Sequence, residues 1–349
     1  MIFLIHAGFP KTGSTAIQRF FCKNRELFLK EFSILYPETG LISPYSDDLP
    51  DAFKYGHHLV TLVFKRPLQI WKLVYEYVPN MTLSVNDLIT QLKREISLSS
   101  PAFVILSSEC ISIVPFYFIK EFFRYFSCNK VFVVYIRRQD LWLESFYREV
   151  IKLGEPVGDI LSFSKDISCY VDYFTKFNVL STFFPDSKLV VRVYDISLFP
   201  KGNIVFDFQA FVLAETGISL PLVSKVDYKE NKSLSVISSL TLLKLLKSRV
   251  LDRSVLNKAV RFLLTLDGTR EESGLIKSFL SLEERLEFLS FFSHGNNRVF
   301  SIYLNSFNMF TLSKDEIEFY KEQDHLRKEK LEYFVDLWFR DLYRFLSSM

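Results

Sequence analysis

Four short apolar runs in the sequence are continuous rather than alternating, and each has the length of a β-strand. They are IFLIH at 2–6, AFVIL at 102–106, KVFVVYI at 130–136 and KLVVRVY at 188–194. A strand that is apolar on both sides is buried on both faces, which is typical of a parallel sheet covered by helices. Helical spacing follows the first run, in residues 14–32. The sequence therefore predicts an α/β fold of three layers with a central, mainly parallel sheet.

From about residue 230 onward the pattern becomes helical. Residues 314–349 have the charge and spacing of an amphipathic helix that either packs on the core or docks a partner. We expect one α/β domain over 1–312, with its core at 1–225 and a helical part at 226–312. A helical extension follows at 313–349.

Charge, cysteine spacing and hydropathy exclude several classes of protein. The 349 residues include 43 basic and 40 acidic side chains, a balance that does not suggest a nucleic-acid partner. The cysteines, Cys22, Cys110, Cys128 and Cys169, form no C-x-x-C pair, so neither a zinc site nor a disulfide framework is indicated. Neither a signal peptide nor an uninterrupted apolar stretch of about 18 residues is evident, so we expect a cytoplasmic protein without a transmembrane anchor.

The first apolar run ends in a short loop that contains two glycines. Gly8 is followed by four residues and then by Gly13, Ser14 and Thr15. A nucleotide-binding P-loop places a lysine directly after the second glycine, whereas here Ser14 holds that position and the lysine comes earlier, as Lys11. A strand, a turn and a helix in succession direct backbone N–H groups and the positive end of the helix dipole at one point. The loop is therefore predicted to bind an anion.

The segment PKTGST at 10–15 resembles the 5'-phosphosulfate loop of sulfotransferases that use 3'-phosphoadenosine 5'-phosphosulfate (PAPS). The resemblance implies a P-loop-like fold with PAPS as the cofactor, bound by Lys11, Thr12, Gly13, Ser14 and Thr15. It also implies that Lys11 is catalytic and faces the bridging oxygen that leaves with the nucleotide. Because the loop lacks the lysine and magnesium-binding hydroxyl pair of kinases, no metal is expected.

The same family has a second motif, in which an arginine ends a strand and a serine follows eight residues later near the start of a helix. Arg137 and Ser145 in residues 130–150 have this spacing. The resemblance implies that they bind the 3'-phosphate of PAPS, and an arginine fork with a hydroxyl suits that task. Arg138 is the competing arginine and is otherwise expected as a surface or sheet-edge charge. Asp140 is the expected N-cap of the helix.

Transfer of a sulfuryl group to a hydroxyl needs a general base, and two candidates stay open. Glu109 follows the strand at 102–106, where side chains face the ligand cleft, and related carbohydrate sulfotransferases often use a glutamate. The alternative is the pair His57 and His58, of which we favour His58, because other family members use a histidine. His6 closes the first strand and is expected to pack beneath the loop.

The resemblance has motif support over residues 1–215 and weaker cues beyond them. Asn231 and Arg298 are second-tier candidates for cofactor contacts, against ordinary capping or surface roles. Tyr45, Tyr55 and Trp71 are candidates for stacking on a sugar ring, with core packing as the alternative.

The resemblance implies a sulfotransferase that moves a sulfuryl group from PAPS to a hydroxyl of a carbohydrate, in a surface polysaccharide or glycolipid. The expected setting is a bacterial cytoplasm. The alternatives are a P-loop kinase or ATPase, which would require magnesium, and a nucleotide-binding relative without catalysis.

Overall fold

The computed structural model describes residues 1–42, 54–62, 83–221, 233–248 and 250–348. The chain forms two compact units that alternate along the sequence. The first comprises Met1–Arg137, Tyr173–Tyr228 and Ser301–Ser306, and the second Arg138–Asp172, Lys229–Phe300 and Phe307–Met349. The domain boundaries expected from the sequence, at residues 225 and 312, stay predictions.

The first unit contains a sheet of five parallel strands within the described residues. The strands are β1 (Ile2–His6), β2 (Ile34–Leu35), β3 (Phe103–Ser107), β4 (Asn129–Ile136) and β5 (Lys188–Val193). They lie in the order β2-β3-β1-β4-β5, so β1 is central, with β3 on one side and β4 on the other. The predicted α/β fold with a parallel sheet is confirmed, and four of the strands fall on the four continuous apolar runs.

Helices occupy much of the remaining chain. They are α1 (Ser14–Lys23), α2 (Arg25–Phe32), α3 (Leu59–Leu62), α4 (Val85–Ser99), α5 (Phe116–Phe123), α6 (Gln139–Lys152), α7 (Ile160–Ile167), α8 (Tyr173–Phe183), α9 (Ile204–Thr216), α10 (Val236–Ser248), α11 (Arg253–Thr269), α12 (Leu282–Tyr303) and α13 (Lys314–Ser347). The second unit is helical where it is described and contains α6, α7, α10, α11, α13 and most of α12. The helical C-terminal region is thereby confirmed. None of the helices in the described ranges is both long enough and apolar enough to cross a bilayer.

Helices cover both faces of the sheet because successive strand residues point to opposite sides. On one face, Leu4 of β1 and Val133 of β4 join a cluster with residues of α1, α2 and α9. On the other face, Phe3 of β1 lies edge-on to Phe123 of α5, with ring centroids 5.6 Å apart. Phe132 of β4 contacts Phe184, directly after α8, at 4.9 Å. This double burial is the reason that the strands are apolar without alternation.

Two helix boundaries differ from the prediction. Residues 14–32, expected as one helix, form α1 and α2, which meet at Asn24. The Asn24 side chain donates a hydrogen bond of 2.7 Å to the carbonyl of Phe20, an arrangement that competes with continuation of the helix. The expected N-cap role of Asp140 is also wrong, because α6 begins at Gln139 with Arg138 at its cap position and Asp140 inside the first turn.

A buried ionic cluster within the second unit explains why Asp140 does not cap the helix. Its carboxylate accepts from Arg138 Nε at 2.7 Å and from the guanidinium of Arg285, which also donates to Glu144 at 2.7 Å. Arg138 makes a further ion pair of 2.7 Å with Glu316 of α13. The expectation that Arg138 is a surface charge is therefore wrong, since only 8% of it is exposed. Its partner Glu316 lies far along the sequence, where no local pattern reveals it.

Candidate functional site

The loop at residues 8–13 starts from the carboxyl end of the central strand. The N–H of Ala7 donates to the carbonyl of Val133 on β4 at 3.1 Å, and the N–H of Ser108, after β3, donates to the carbonyl of His6 at 3.0 Å. The loop is thus held between the ends of both neighbouring strands. In open parallel sheets this edge is the usual place for a ligand.

Two residues of the loop have left-handed backbone conformations. Gly13, at the cap position of α1, has φ 75°, and Lys11 has φ 65°. A Cβ on Gly13 would lie 2.9 Å from both Tyr194 and Ile204, so only glycine fits there. For a lysine this backbone conformation costs roughly 1–2 kcal/mol. Such strain concentrates where a loop shape serves a ligand or a reaction.

The hydroxyl residues of the loop have different surroundings. Thr12 is fully buried, and its hydroxyl donates to the carbonyl of Phe9 at 2.6 Å. Because the hydroxyl hydrogen is used in this bond, Thr12 can donate to an anion only from its backbone N–H. Ser14 is 3% exposed, and its Oγ has no hydrogen-bond partner in the part of the chain that the structure describes. Thr15 is half-buried. Gly13 supplies no side-chain cap for α1, so the helix N-terminus and the Ser14 hydroxyl form a group of donors suited to an oxyanion.

Arg137 follows β4 and reaches the same loop. Its Nη1 donates to the backbone carbonyl of Lys11 at 3.0 Å, and its guanidinium lies over the ring of Tyr194, 5.5 Å from the centroid. The hydroxyl of Tyr173 donates to the carbonyl of Arg137 at 2.6 Å. The structure therefore brings Arg137 and the loop together, while their roles toward a cofactor stay predictions. Tyr173 and Tyr194, which fix this arginine, have no signal in the sequence.

Ser145, the second residue of the arginine motif, is half-buried on α6 of the second unit. Its role toward a 3'-phosphate stays a prediction.

Glu109 is also tied to the loop, through the short turn that it begins. It is half-buried at the start of a 3-10 helix, Glu109–Ser112, whose N-cap is Ser108. The hydroxyl of Ser112 lies 3.0 Å from the carbonyl of Gly8 and 2.9 Å from that of Glu109. This hydroxyl therefore joins the turn after β3 to the loop after β1, which places the Glu109 backbone beside the candidate anion site.

His57 is fully buried, and both its ring nitrogens are occupied by backbone groups. The N–H of Ser107 donates to Nδ1 at 3.0 Å, which leaves Nε2 to donate to the carbonyl of Pro37 at 3.0 Å. The backbone N–H of His57 also donates to the carbonyl of Ser107 at 2.7 Å. Burial lowers the pKa of His57 to about 3. A ring held in this way has no nitrogen ready to accept a substrate proton.

His58 and His6 are buried beside the same strand ends. Nδ1 of His58 lies 3.0 Å from Ser108 Oγ and 3.0 Å from Cys110 Sγ. Burial raises the pKa of the Cys110 thiol, which keeps it protonated. Nδ1 of His6 lies 2.7 Å from Ser107 Oγ, and burial lowers the pKa of His6 to about 3. The structure therefore places the ring of His6 under the loop as a neutral imidazole.

The remaining candidates are dispersed. Tyr55 is half-buried, with its carbonyl accepting from the hydroxyl of Tyr36 at 2.6 Å. Arg298 is exposed on α12 in the second unit. Tyr45, Trp71 and Asn231 lie outside the described residues. Within the described ranges, no group of three or more His, Cys, Asp or Glu side chains is arranged to hold a metal ion.

Comparison with known proteins adds one distant relative. An uncharacterised protein of the archaeon Archaeoglobus fulgidus is 36% identical to this chain over 215 residues, which cover 62% of this chain and 57% of that protein. The chain thus matches little more than half of the relative's length. No family model matches the sequence, and no solved structure matches it.

Proposed function

We propose that this protein is a sulfotransferase that uses PAPS to sulfate a hydroxyl of a carbohydrate, in a surface polysaccharide or glycolipid. The observation that carries the proposal is the contact between Arg137 and the Lys11 carbonyl. This contact unites the two sequence motifs at the carboxyl edge of one parallel sheet. A 5'-phosphosulfate and a 3'-phosphate would need such a pair of neighbouring anion sites.

The residues of the first loop fit a phosphosulfate. Backbone N–H groups at the start of α1, the Ser14 and Thr15 hydroxyls and the Lys11 ammonium are all donors, which is the chemistry that an oxyanion requires. Gly13 lets the backbone approach closely because no Cβ intervenes. When bound, PAPS would supply the sulfuryl group and a bisphosphate leaving group. Lys11 would stabilise the negative charge that develops on the bridging oxygen, as single oxyanion donors do.

Arg137 supplies the charge for the 3'-phosphate. Tyr173 and the ring of Tyr194 hold its backbone and its guanidinium, so little ordering remains to be done when a ligand binds. A planar guanidinium with several N–H donors matches phosphate oxygens better than a lysine does.

For the acceptor hydroxyl we propose Glu109 as the general base. The acceptor oxygen attacks sulfur in line with the bridging oxygen, the sulfur–oxygen bond to the nucleotide breaks, and the acceptor proton passes to the Glu109 carboxylate. Glu109 is half-buried, whereas His58 is fully buried, which favours the glutamate for reaching an external sugar. Glu109→Gln is expected to lower transfer far more than His58→Gln, and equal losses would contradict this assignment.

Ligand-dependent thermal stability tests the proposed donor. Adenosine 3',5'-bisphosphate should raise the melting temperature, because a ligand at a hundredfold excess over its dissociation constant adds about 2.7 kcal/mol of stability. ATP with magnesium is the comparison. Stabilisation by ATP with magnesium alone would indicate a kinase or ATPase and would overturn the proposal. Binding of the bisphosphate without transfer from labelled PAPS to any glycan of a broad panel would indicate a nucleotide-binding relative without catalysis.

A further inference from the structure

Two buried polar atoms without partners lie next to each other beneath the first loop. Nε2 of His6 and Oγ of Ser14 have no hydrogen-bond partner among the described residues, and the two side chains are 0% and 3% exposed. A buried polar group without a partner costs free energy. Nine other side-chain atoms of the described residues are in the same state, but these two are distinguished by their place beneath the anion loop. Both atoms belong to the loop site, one at the end of β1 and the other at the start of α1.

Gly8 locates the point on which the two atoms converge. A Cβ on Gly8 would lie 2.6 Å from Ser14 Oγ and 2.8 Å from His6 Nε2. Each atom is thus within hydrogen-bonding range of that point, although the structure contains no direct bond between them. Glycine at position 8 keeps the approach open, since any side chain there would come between the imidazole and the hydroxyl.

The surroundings of His6 indicate which ring nitrogen carries its proton. Ser107 is fully buried, and the side-chain partner that the structure gives its hydroxyl is Nδ1 of His6, at 2.7 Å. A buried hydroxyl must donate its hydrogen, and donation to Nδ1 satisfies it. The neutral ring then carries its hydrogen on Nε2, the nitrogen that faces Ser14. Edge-on contacts with Tyr135 and Phe208, at 5.8 and 5.4 Å, hold the ring in this orientation.

We propose that His6 is a positioning residue that donates from Nε2 to Ser14 Oγ and thereby turns the Ser14 hydroxyl hydrogen toward a phosphate or sulfate group bound in the loop. The chain of donors runs from Ser107 to His6, from His6 to Ser14, and from Ser14 to the anion. The bond between His6 and Ser14 would form when Ser14 rotates as the anion enters. With the opposite tautomer, Ser14 would give its hydrogen to the ring and present lone pairs to the anion, which would repel. This role rests on the proposed function for the identity of the ligand, but the chemistry requires only a tetrahedral oxyanion.

Two substitutions at His6 test whether the Nε2–H group, rather than the rest of the imidazole ring, is what supports binding. In His6→Gln the side-chain amide can reproduce the Nε2 donor, whereas in His6→Asn the amide reaches only the Nδ1 position. Affinity for adenosine 3',5'-bisphosphate, measured by calorimetry on the full chain, should fall about tenfold in His6→Asn and stay within about twofold of wild type in His6→Gln. In a Ser14→Ala background, His6→Asn should cause no further loss. Equal losses of affinity in His6→Asn and His6→Gln would overturn the proposal. So would a tenfold loss of affinity when His6→Asn is added to Ser14→Ala.

Imidazole nitrogen NMR on the wild-type protein reports the tautomer of His6 directly, so it is a readout independent of the affinity measurements. In wild-type protein with labelled histidines, His6 should show the Nε2–H tautomer, and its Nε2 signal should move when inorganic sulfate or the bisphosphate is added. The movement should vanish in Ser14→Ala. If sulfate moves the signal but the bisphosphate does not bind, the positioning role of His6 stands and PAPS is the wrong cofactor. If the bisphosphate binds and the His6 signals do not move, PAPS stands as the proposed cofactor and the positioning role of His6 is wrong.

Discussion

The loop site of the first unit and the ionic cluster of the second both bury polar side chains, but they satisfy them differently. In the cluster, Arg138 and Arg285 pair with the carboxylates of Asp140 and Glu144, so the buried charges neutralise one another, although Arg285 Nε has no hydrogen-bond partner among the described residues. In the loop site, Ser14 Oγ and His6 Nε2 have no partner among the described residues. Charges that are paired internally contribute to a defined fold, whereas polar groups left over beside a glycine loop indicate a ligand.

The largest expected effect is the loss of stability when the ionic cluster is broken. Arg285→Met keeps much of the side-chain length but leaves Asp140 and Glu144 as buried carboxylates without their shared cation. We expect the free energy of unfolding to fall by about 3–5 kcal/mol, measured by urea denaturation. The matched control is Lys244→Met, which removes an exposed ion pair with Asp336 and should cost no more than about 1 kcal/mol. Equal costs in the two variants would show that the buried cluster contributes no more to stability than an exposed ion pair does.

Lys11→Ala should have the opposite profile, with activity lost and stability kept. Transfer from labelled PAPS is expected to fall roughly a hundredfold to a thousandfold, because an oxyanion donor is removed. The free energy of unfolding should not decrease by more than about 0.5 kcal/mol. Lys201→Ala is a matched control, since Lys201 also has a positive φ, of 55°, and is exposed elsewhere in the first unit. Unchanged transfer in Lys11→Ala would remove this lysine from the mechanism.

Arg137→Lys is expected to weaken binding by an intermediate amount. The substitution keeps the charge but loses the planar fork that reaches the Lys11 carbonyl, so affinity for adenosine 3',5'-bisphosphate should fall by about 1.5–3 kcal/mol. Adenosine 5'-monophosphate lacks the 3'-phosphate and should lose less affinity in the same calorimetric titration. An equal loss for both ligands would indicate that Arg137 acts on the loop alone.

The two regions should also respond to acid in different pH ranges. Burial lowers the pKa of His6 and of His57 to about 3 from 6.5, so below pH 6.5 the unfolded chain binds protons that the folded chain does not. Stability contributed by the first unit should therefore fall as the pH decreases from 6.5 toward 3. The slope is at most about 1.4 kcal/mol per pH unit for each histidine.

Asp140 provides the contrast. Its burial raises its pKa, but the hydrogen bond from Arg138 and the charges of Arg285 and Arg138 outweigh burial and keep the pKa below the usual 3.8. The contribution of Asp140 to the free energy of unfolding is complete above pH 3.8, the usual pKa. It is lost only as the pH falls through the lower pKa of the folded state. Hydrogen exchange at pH 7 and pH 5 should show β1 and β3 losing protection before α6. The decrease in the free energy of unfolding between pH 7 and pH 5 should become smaller in His57→Gln. It should stay unchanged in His294→Gln, which replaces an exposed histidine.

The parts of the fold that depend on local pattern could be predicted from the sequence. The bounds of β1 match its apolar run, because double burial leaves an unbroken hydrophobic signal that ends before Gly8. The two-residue strand β2 is too short for any such signal. The break at Asn24 depends on one side-chain hydrogen bond, which helical periodicity does not reveal.

For the site, sequence could place the loop and Arg137 at one edge, because parallel strands all end there. It could not show that Arg138 is buried, since Glu316 lies far along the chain. Nor could it show that both nitrogens of His57 are bound, since one partner is Pro37 and the other is Ser107. Long-range partners of this kind decide which polar residues remain for chemistry.

The bonds between His57 and Ser107 also have a consequence for association. β2 pairs with β3 only at Phe103 and Val104, so a short edge strand covers the beginning of β3. At the other end, His57 takes both the N–H and the carbonyl of Ser107, with its imidazole in place of a backbone acceptor. A strand from another molecule would have to displace this ring before it could pair with the end of β3. His57 thus occupies the backbone groups at the end of β3 with which a strand of another molecule would otherwise pair.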